Sequence, residues 1–122
     1  MVQKKKTLVL GASPNTERYS FRAATELLHH GHPVELLGVR KGEIGGHNID
    51  TFPNAYSDIH TVTMYLGKNN QVQYYKYILS LRPQRVIFNP GAENDDFCRE
   101  LTKQNIECIN ACTLVMLSIR NY

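Results

Sequence analysis

No stretch of this 122-residue sequence is long and apolar enough to cross a bilayer. The lysines at positions 4–6 precede an apolar run, Thr7 to Leu10, that is too short for the hydrophobic segment of a secretion signal. Cysteine is scarce: there are three, with no Cys-x-x-Cys and no Cys/His spacing of a metal site. An odd count without a paired framework predicts reduced thiols that behave as small buried hydrophobes. Also missing are internal repeats, low-complexity segments and the basic–aromatic interleaving that grips single-stranded nucleic acid. The net charge of +3 is modest, and Lys4, Lys5 and Lys6 supply much of it as a solvated lead-in. These absences argue against membrane and nucleic-acid partners and predict a cytoplasmic protein.

What is present is a regular alternation. The hydrophobic fraction is 42% and the charged fraction 20%, a globular balance in a chain sized for one domain over residues 1–122. Thr7 to Leu10 reads as a strand buried on both faces. A helix follows from Arg18 to His30, with Phe21, Ala24, Leu27 and Leu28 on one face and Gly31 and Pro33 stopping it. Further strands are expected at Val34 to Val39, Thr61 to Leu66, Val86 to Phe88 and Ile106 to Ile109. Helices are expected at Asn70 to Leu81, with Val72, Tyr75, Ile78 and Leu79 inward, from Asn94 to near Asn105, and from Thr113 to Ile119. His47 to Ser57 reads as irregular. Strands alternating with helices predict a Rossmann-like, doubly wound, five-stranded parallel α/β sheet with helices on both faces. Ligands in such folds bind beyond the carboxyl ends of the strands. That edge is predicted to comprise Gly11 to Ser13, Gly38 to Lys41, Leu66 to Lys68, Asn89-Pro90-Gly91 and Asn110 to Cys112.

The first turn after a strand carries the strongest chemical signal. Gly11, lacking a Cβ, lets a phosphate approach the backbone. Ser13 adds a hydroxyl, the following helix aims its N-terminus at the same spot, and Arg18 and Ser20 sit at that helix start. The spacing is neither Gly-x-Gly-x-x-Gly nor the nucleophile elbow Gly-x-Ser-x-Gly, since position 15 is Asn. After the second strand the chain reads Val39-Arg40-Lys41, without the acid that holds a ribose in NAD-binding domains. Two cations there suit an additional phosphate, which both coenzyme A and NADP possess.

Other polar groups have plainer explanations. His29, His30 and His32 cluster at a helix end, where they complement the dipole more readily than they share a metal. Glu93, Asp95 and Asp96 fit a helix start, and no serine, histidine and acid combination stands out. Cys112 is the one thiol at the ligand edge, beside a helix start that favours thiolate, although a packed thiol is the plainer account.

Taken in order, these motifs resemble the single-domain CoA-binding protein family, whose fold is that of the CoA-binding domain of the succinyl-CoA synthetase alpha subunit. Gly11-Ala12-Ser13-Pro14 with Arg18-Tyr19-Ser20 looks like the family's phosphate turn. His30-Gly31 before Val34, Glu43-Ile44 with Gly45 or Gly46, Gly91 with Asn94-Asp95-Asp96, and Cys112 extend the likeness from Thr7 to Cys112. The chain departs from the family at Gly38-Val39, where Asn-Pro is common, and at Ile87 and Asn89, where Trp and Gln are common. The strand-end reading and the resemblance together predict a CoA or acyl-CoA binding module with contacts at Gly11, Ala12, Ser13, Arg18, Ser20, Val39, Arg40, Lys41, Leu66, Asn89, Pro90, Gly91 and Cys112, and with no catalytic or metal-ligating residues. The competing expectation is an NADP-linked oxidoreductase, or a CoA-thioester enzyme using Cys112, completed by a homodimer or a partner enzyme.

Overall fold

The computed structural model describes residues 3–122. In chain order its elements are β1 (Thr7–Leu10), α1 (Tyr19–His29), β2 (Val34–Leu37), β3 (Glu43–Ile44), β4 (His47–Asp50) and β5 (Thr61–Met64). Then come α2 (Lys68–Gln71), a 3₁₀ turn (Val72–Tyr74), α3 (Tyr75–Leu81), β6 (Arg85–Phe88), α4 (Asp95–Lys103), β7 (Glu107–Asn110) and α5 (Thr113–Ser118). The sheet has seven strands in the order β3-β4-β2-β1-β5-β6-β7. Neighbours are parallel except the β3–β4 pair.

β1, β5 and β6 are buried along their whole length, which is why they read as continuous apolar or Thr-rich runs. Successive side chains alternate between two cores. Leu8, Leu10, Val62, Met64, Val86 and Phe88 pack with Ile78, Phe97 and Leu101 on the α3/α4 face. Val9 and Leu36 pack with Ala24, Leu27 and Leu117 on the α1/α5 face. Helices therefore cover both faces, and the strand order reverses at β1, which pairs with β2 on one side and β5 on the other.

Three expectations change. First, the sheet is seven-stranded, not five-stranded. Gly45 and Gly46, both at positive φ, make a tight turn that pairs Glu43 with Asn48. β4 then pairs with β2 through Ile49, whose side chain is buried. A strand this short carries too little alternation to register as a pattern. Second, the helix expected over Asn70 to Leu81 is broken at the 3₁₀ turn, and Val72 faces outward at 61% exposure. The break leaves Gln71 fully buried, its amide donating to the main-chain oxygens of Leu66 and Ala92 and accepting from Asn94. Third, the thiols are not all reduced: Cys98 of α4 and Cys108 of β7 form a disulfide across a Cα–Cα distance of 5.6 Å, leaving Cys112 free. Their separation of 10 residues lies in no recognisable motif, so only the α4–β7 packing brings them together. The Asn94 cap does form, its side chain accepting from the Phe97 amide at 3.1 Å.

Candidate functional site

The crevice lies where β1 and β5 end side by side. Beyond Leu10 the chain turns at Gly11, whose φ of +98° suits glycine alone. A Cβ there would meet the Tyr65 main chain and the Leu66 side chain at 3.2 Å. The Gly11 and Ala12 amides both donate to the Leu37 carbonyl, at 2.9 and 3.0 Å. Gly11 is thus needed to dock the turn against β2 and β5, and its own amide is spent within the fold. Gly38 is tighter still, since a Cβ would sit 2.0 Å from the Ala12 carbonyl oxygen.

The donors left for a ligand come just after the turn. Ser13 Oγ accepts from the Asn15 amide at 3.1 Å, which leaves its hydroxyl proton free to donate. The Asn15 side chain accepts from the Glu17 amide at 2.9 Å, shaping the entry to α1. α1 opens with no side-chain cap, and the Tyr19 and Ser20 amides have no partner among the described residues. Arg18 brings positive charge to the same mouth.

Two cavities meet here. One, of about 410 Å³, is lined by Gly11, Ala12, Ser13, Asn15, Arg18, Tyr19, Ser20, Val39, Arg40, Tyr65, Leu66 and Pro90. The other, of about 250 Å³ and mostly apolar, is lined by Tyr19, Tyr65, Asn89, Pro90, Cys112 and Leu114. Tyr19, Tyr65 and Pro90 belong to both, so the two are halves of one cleft with a cationic end and an apolar end. Val39 is 84% exposed and Tyr19 66% exposed, leaving apolar surface at the rim. Burial holds the Tyr65 phenol well above its ordinary pKa, and its hydroxyl is buried with no partner among the described residues.

Two residues expected at this edge lie elsewhere. Lys41 lines a separate groove with Gly42, Asp50 and Phe52, because the chain turns from Arg40 toward the β3–β4 hairpin. Gly91, at φ +93°, lines neither half, and its amide donates to Glu93 at 2.8 Å. Asn89 reaches the cleft but is tied into the fold. Its Nδ2 donates to Thr63 Oγ1 at 2.8 Å and to the Met64 carbonyl at 2.9 Å, while its Oδ1 accepts from the Thr113 amide at 2.9 Å. Asn89 thereby fixes the start of α5 and the Cys112 wall. Tyr65, Asn15 and Leu114 carry no sequence signal as cleft residues, because nothing local separates them from ordinary turn and core positions, and Tyr19 stands out only as the middle of Arg18-Tyr19-Ser20.

A larger cavity, about 630 Å³, lies at the amino ends of the strands around Lys5, His29, His30, His32 and Tyr122. It is away from the carboxyl-end crevice where ligands bind in open α/β sheets. Among the described residues no group of His, Cys, Asp and Glu is placed to hold a metal. Among the described residues no helix is long and apolar enough to cross a membrane.

A family model described as CoA binding domain matches residues 5–118. A crystal structure of an uncharacterized protein is 45% identical and superimposes with a TM-score of 0.97, covering 99% of this chain and 100% of that one. A Thermus thermophilus protein has a TM-score of 0.84 at 19% identity, covering 98% of this chain and 91% of its own. A conserved hypothetical protein from Pyrococcus furiosus has a TM-score of 0.76 at 24% identity, covering 93% and 98%. These last two show the shared fold. No curated protein matches the sequence.

Proposed function

The chain belongs to the CoA-binding domain family, and from that premise we propose that the β1–β5 cleft holds coenzyme A, free or acylated. The observation that carries the reading is the union of a cationic, donor-rich half with an apolar half in one cleft. CoA has the matching division: a phosphorylated, highly charged nucleotide at one end and a thin, uncharged thiol arm at the other. The Ser13 hydroxyl, the Tyr19 and Ser20 amides and Arg18 would hold the pyrophosphate. Val39 would lie along the adenosine, and Arg40 would meet the 3′-phosphate. The arm would pass Tyr19 and Tyr65 toward Cys112.

The test is a thermal-shift panel of CoA, acetyl-CoA, dephospho-CoA, NADP, NAD, ATP and FAD. CoA raises the melting temperature in a concentration-dependent way, and dephospho-CoA does so less. A shift with NADP and none with CoA overturns the reading in favour of a dinucleotide site.

A further inference from the structure

β7 is lightly held beside the central strands of the sheet. It is an edge strand, hydrogen-bonded only to β6. Its end residues Glu107 and Asn110 are exposed and its middle residues Cys108 and Ile109 only half-buried, whereas β1, β5 and β6 are buried throughout. With so little apolar burial, such a strand opens locally at low free-energy cost. The Cys98–Cys108 disulfide ties it to α4, the helix on its inner side. Only Ala111 separates the end of β7 from Cys112, which walls the apolar half of the cleft. Cys98 also lines an open groove of about 410 Å³ with Asp95, Arg99, Thr102 and Lys103, so a small thiol can reach it.

We propose that Cys98–Cys108 is a reversible thiol–disulfide switch that clamps β7 and so sets how firmly the Cys112 wall of the cleft is held. The reductant is a low-molecular-weight thiol. Its thiolate attacks one sulfur, the Cys98–Cys108 bond breaks, a mixed disulfide forms, and the other cysteine leaves as thiolate and takes a proton from water. A second thiolate attacks the small-molecule sulfur of the mixed disulfide. That releases the small-molecule disulfide and the remaining cysteine, so the pair gains the two electrons that the two small thiols lose. In a cytoplasmic setting, where disulfides are redox-sensing more often than structural, this is the role such a pair would play. The consequence for ligand rests on the CoA reading; the clamp itself does not.

The full chain is compared in disulfide form and after reduction, by hydrogen exchange read peptide by peptide and by maleimide labelling of Cys112. Reduction is expected to speed exchange over 107–113, and labelling of Cys112, by about tenfold or more, with β1 and β5 unaffected. The paired Cys98→Ser and Cys108→Ser variant should behave as the reduced protein, and re-oxidation should restore the slow rates. Unchanged exchange and labelling overturn the clamp, as does a disulfide that millimolar glutathione leaves intact. CoA affinity measured on both forms then separates the two readings. Weaker binding by the reduced form supports control of the site, and equal binding overturns it. No CoA binding by either form, with Cys112 still responding, leaves the clamp standing and sinks the CoA assignment.

Discussion

Replacing Asn89 with alanine isolates the side chain that joins β5, β6 and α5. The change deletes three hydrogen bonds: to Thr63 Oγ1, to the Met64 carbonyl and from the Thr113 amide. The backbone bonds of residue 89, to Met64 and from Ala92, survive. Thr63 and Thr113 keep each other through their hydroxyls at 2.8 Å. The Thr113 amide does worse, because Thr113 is fully buried and Asn89 is its acceptor. At about 1 kcal/mol per net bond, with a further penalty for the orphaned amide, the loss comes to about 3–4 kcal/mol. That is a large share of the roughly 5–15 kcal/mol by which native proteins are stable. For a chain of this length it lowers Tm by about 10–15 °C. Urea denaturation with an unchanged m-value, together with a thermal melt, measures it.

A second substitution checks the assignment of atoms. Asn89→Asp keeps an acceptor for Thr113 but removes the donor to Thr63 and Met64. At neutral pH the new carboxylate would face the Met64 carbonyl in a buried site, so its folded-state pKa is raised above its unfolded value. The protonated acid can donate to Met64, and stability is therefore highest at low pH and lost as pH rises through the folded pKa. A loss below about 1 kcal/mol for Asn89→Ala, or no pH dependence specific to Asn89→Asp, refutes the account of Asn89 as a strut.

Three more outcomes follow from placement. Arg40→Ala should weaken CoA about threefold to tenfold while leaving dephospho-CoA unchanged, the exposed guanidinium being screened by solvent; Lys41→Ala, in its separate groove, should change neither, as isothermal titration calorimetry would read. Gly38→Ala should cost about 3 kcal/mol or more by denaturant titration, because its Cβ would lie 2.0 Å from the Ala12 carbonyl oxygen. His32 is 3% exposed and accepts from the Lys5 amide at 3.0 Å; its pKa is lowered by burial first and then by the charges of Lys5, His30, Arg85 and His60. The unfolded chain therefore binds the proton first, and stability falls as pH drops through about 6.5; a stability–pH curve for His32→Asn should be flatter there than that of the parent.

The alternation of strands and helices was legible because each long element carries its own pattern. Thr7–Leu10 announces a strand buried on both faces, and Ala24 and Leu27 announce the inner stripe of α1. The β3–β4 hairpin was not legible, because its pairing rests on two glycines and two buried isoleucines, Ile44 and Ile49, in strands too short to show a pattern. Val72 was misplaced for a different reason. Helical spacing points it inward, but the buried Gln71 amide holds Leu66, Ala92 and Asn94 in place of a regular turn. A polar network between distant segments overrode the local period. The disulfide was hidden likewise, since α4 and β7 meet only once Phe97 and Leu101 have packed on the sheet.

The site divides along the same line. The strand ends located the crevice, because the carboxyl-end rule needs only topology, and topology follows from the order of the elements. The identity of each lining group does not follow. A polar residue at the turn after a strand has one local signature whether it donates to a ligand or braces the fold. Ser13 and Asn89 both sit at such turns. Ser13 has its oxygen engaged by a neighbouring amide and its proton unspent. Asn89 has both ends of its amide committed, to β5 and to the start of α5. The difference lies in partners between 24 and 26 residues away, where no window on the sequence around Asn89 can reach. For the same reason Cys112 is best understood through Asn89: the residue that shapes the apolar end of the cleft is fixed by one that need touch no ligand.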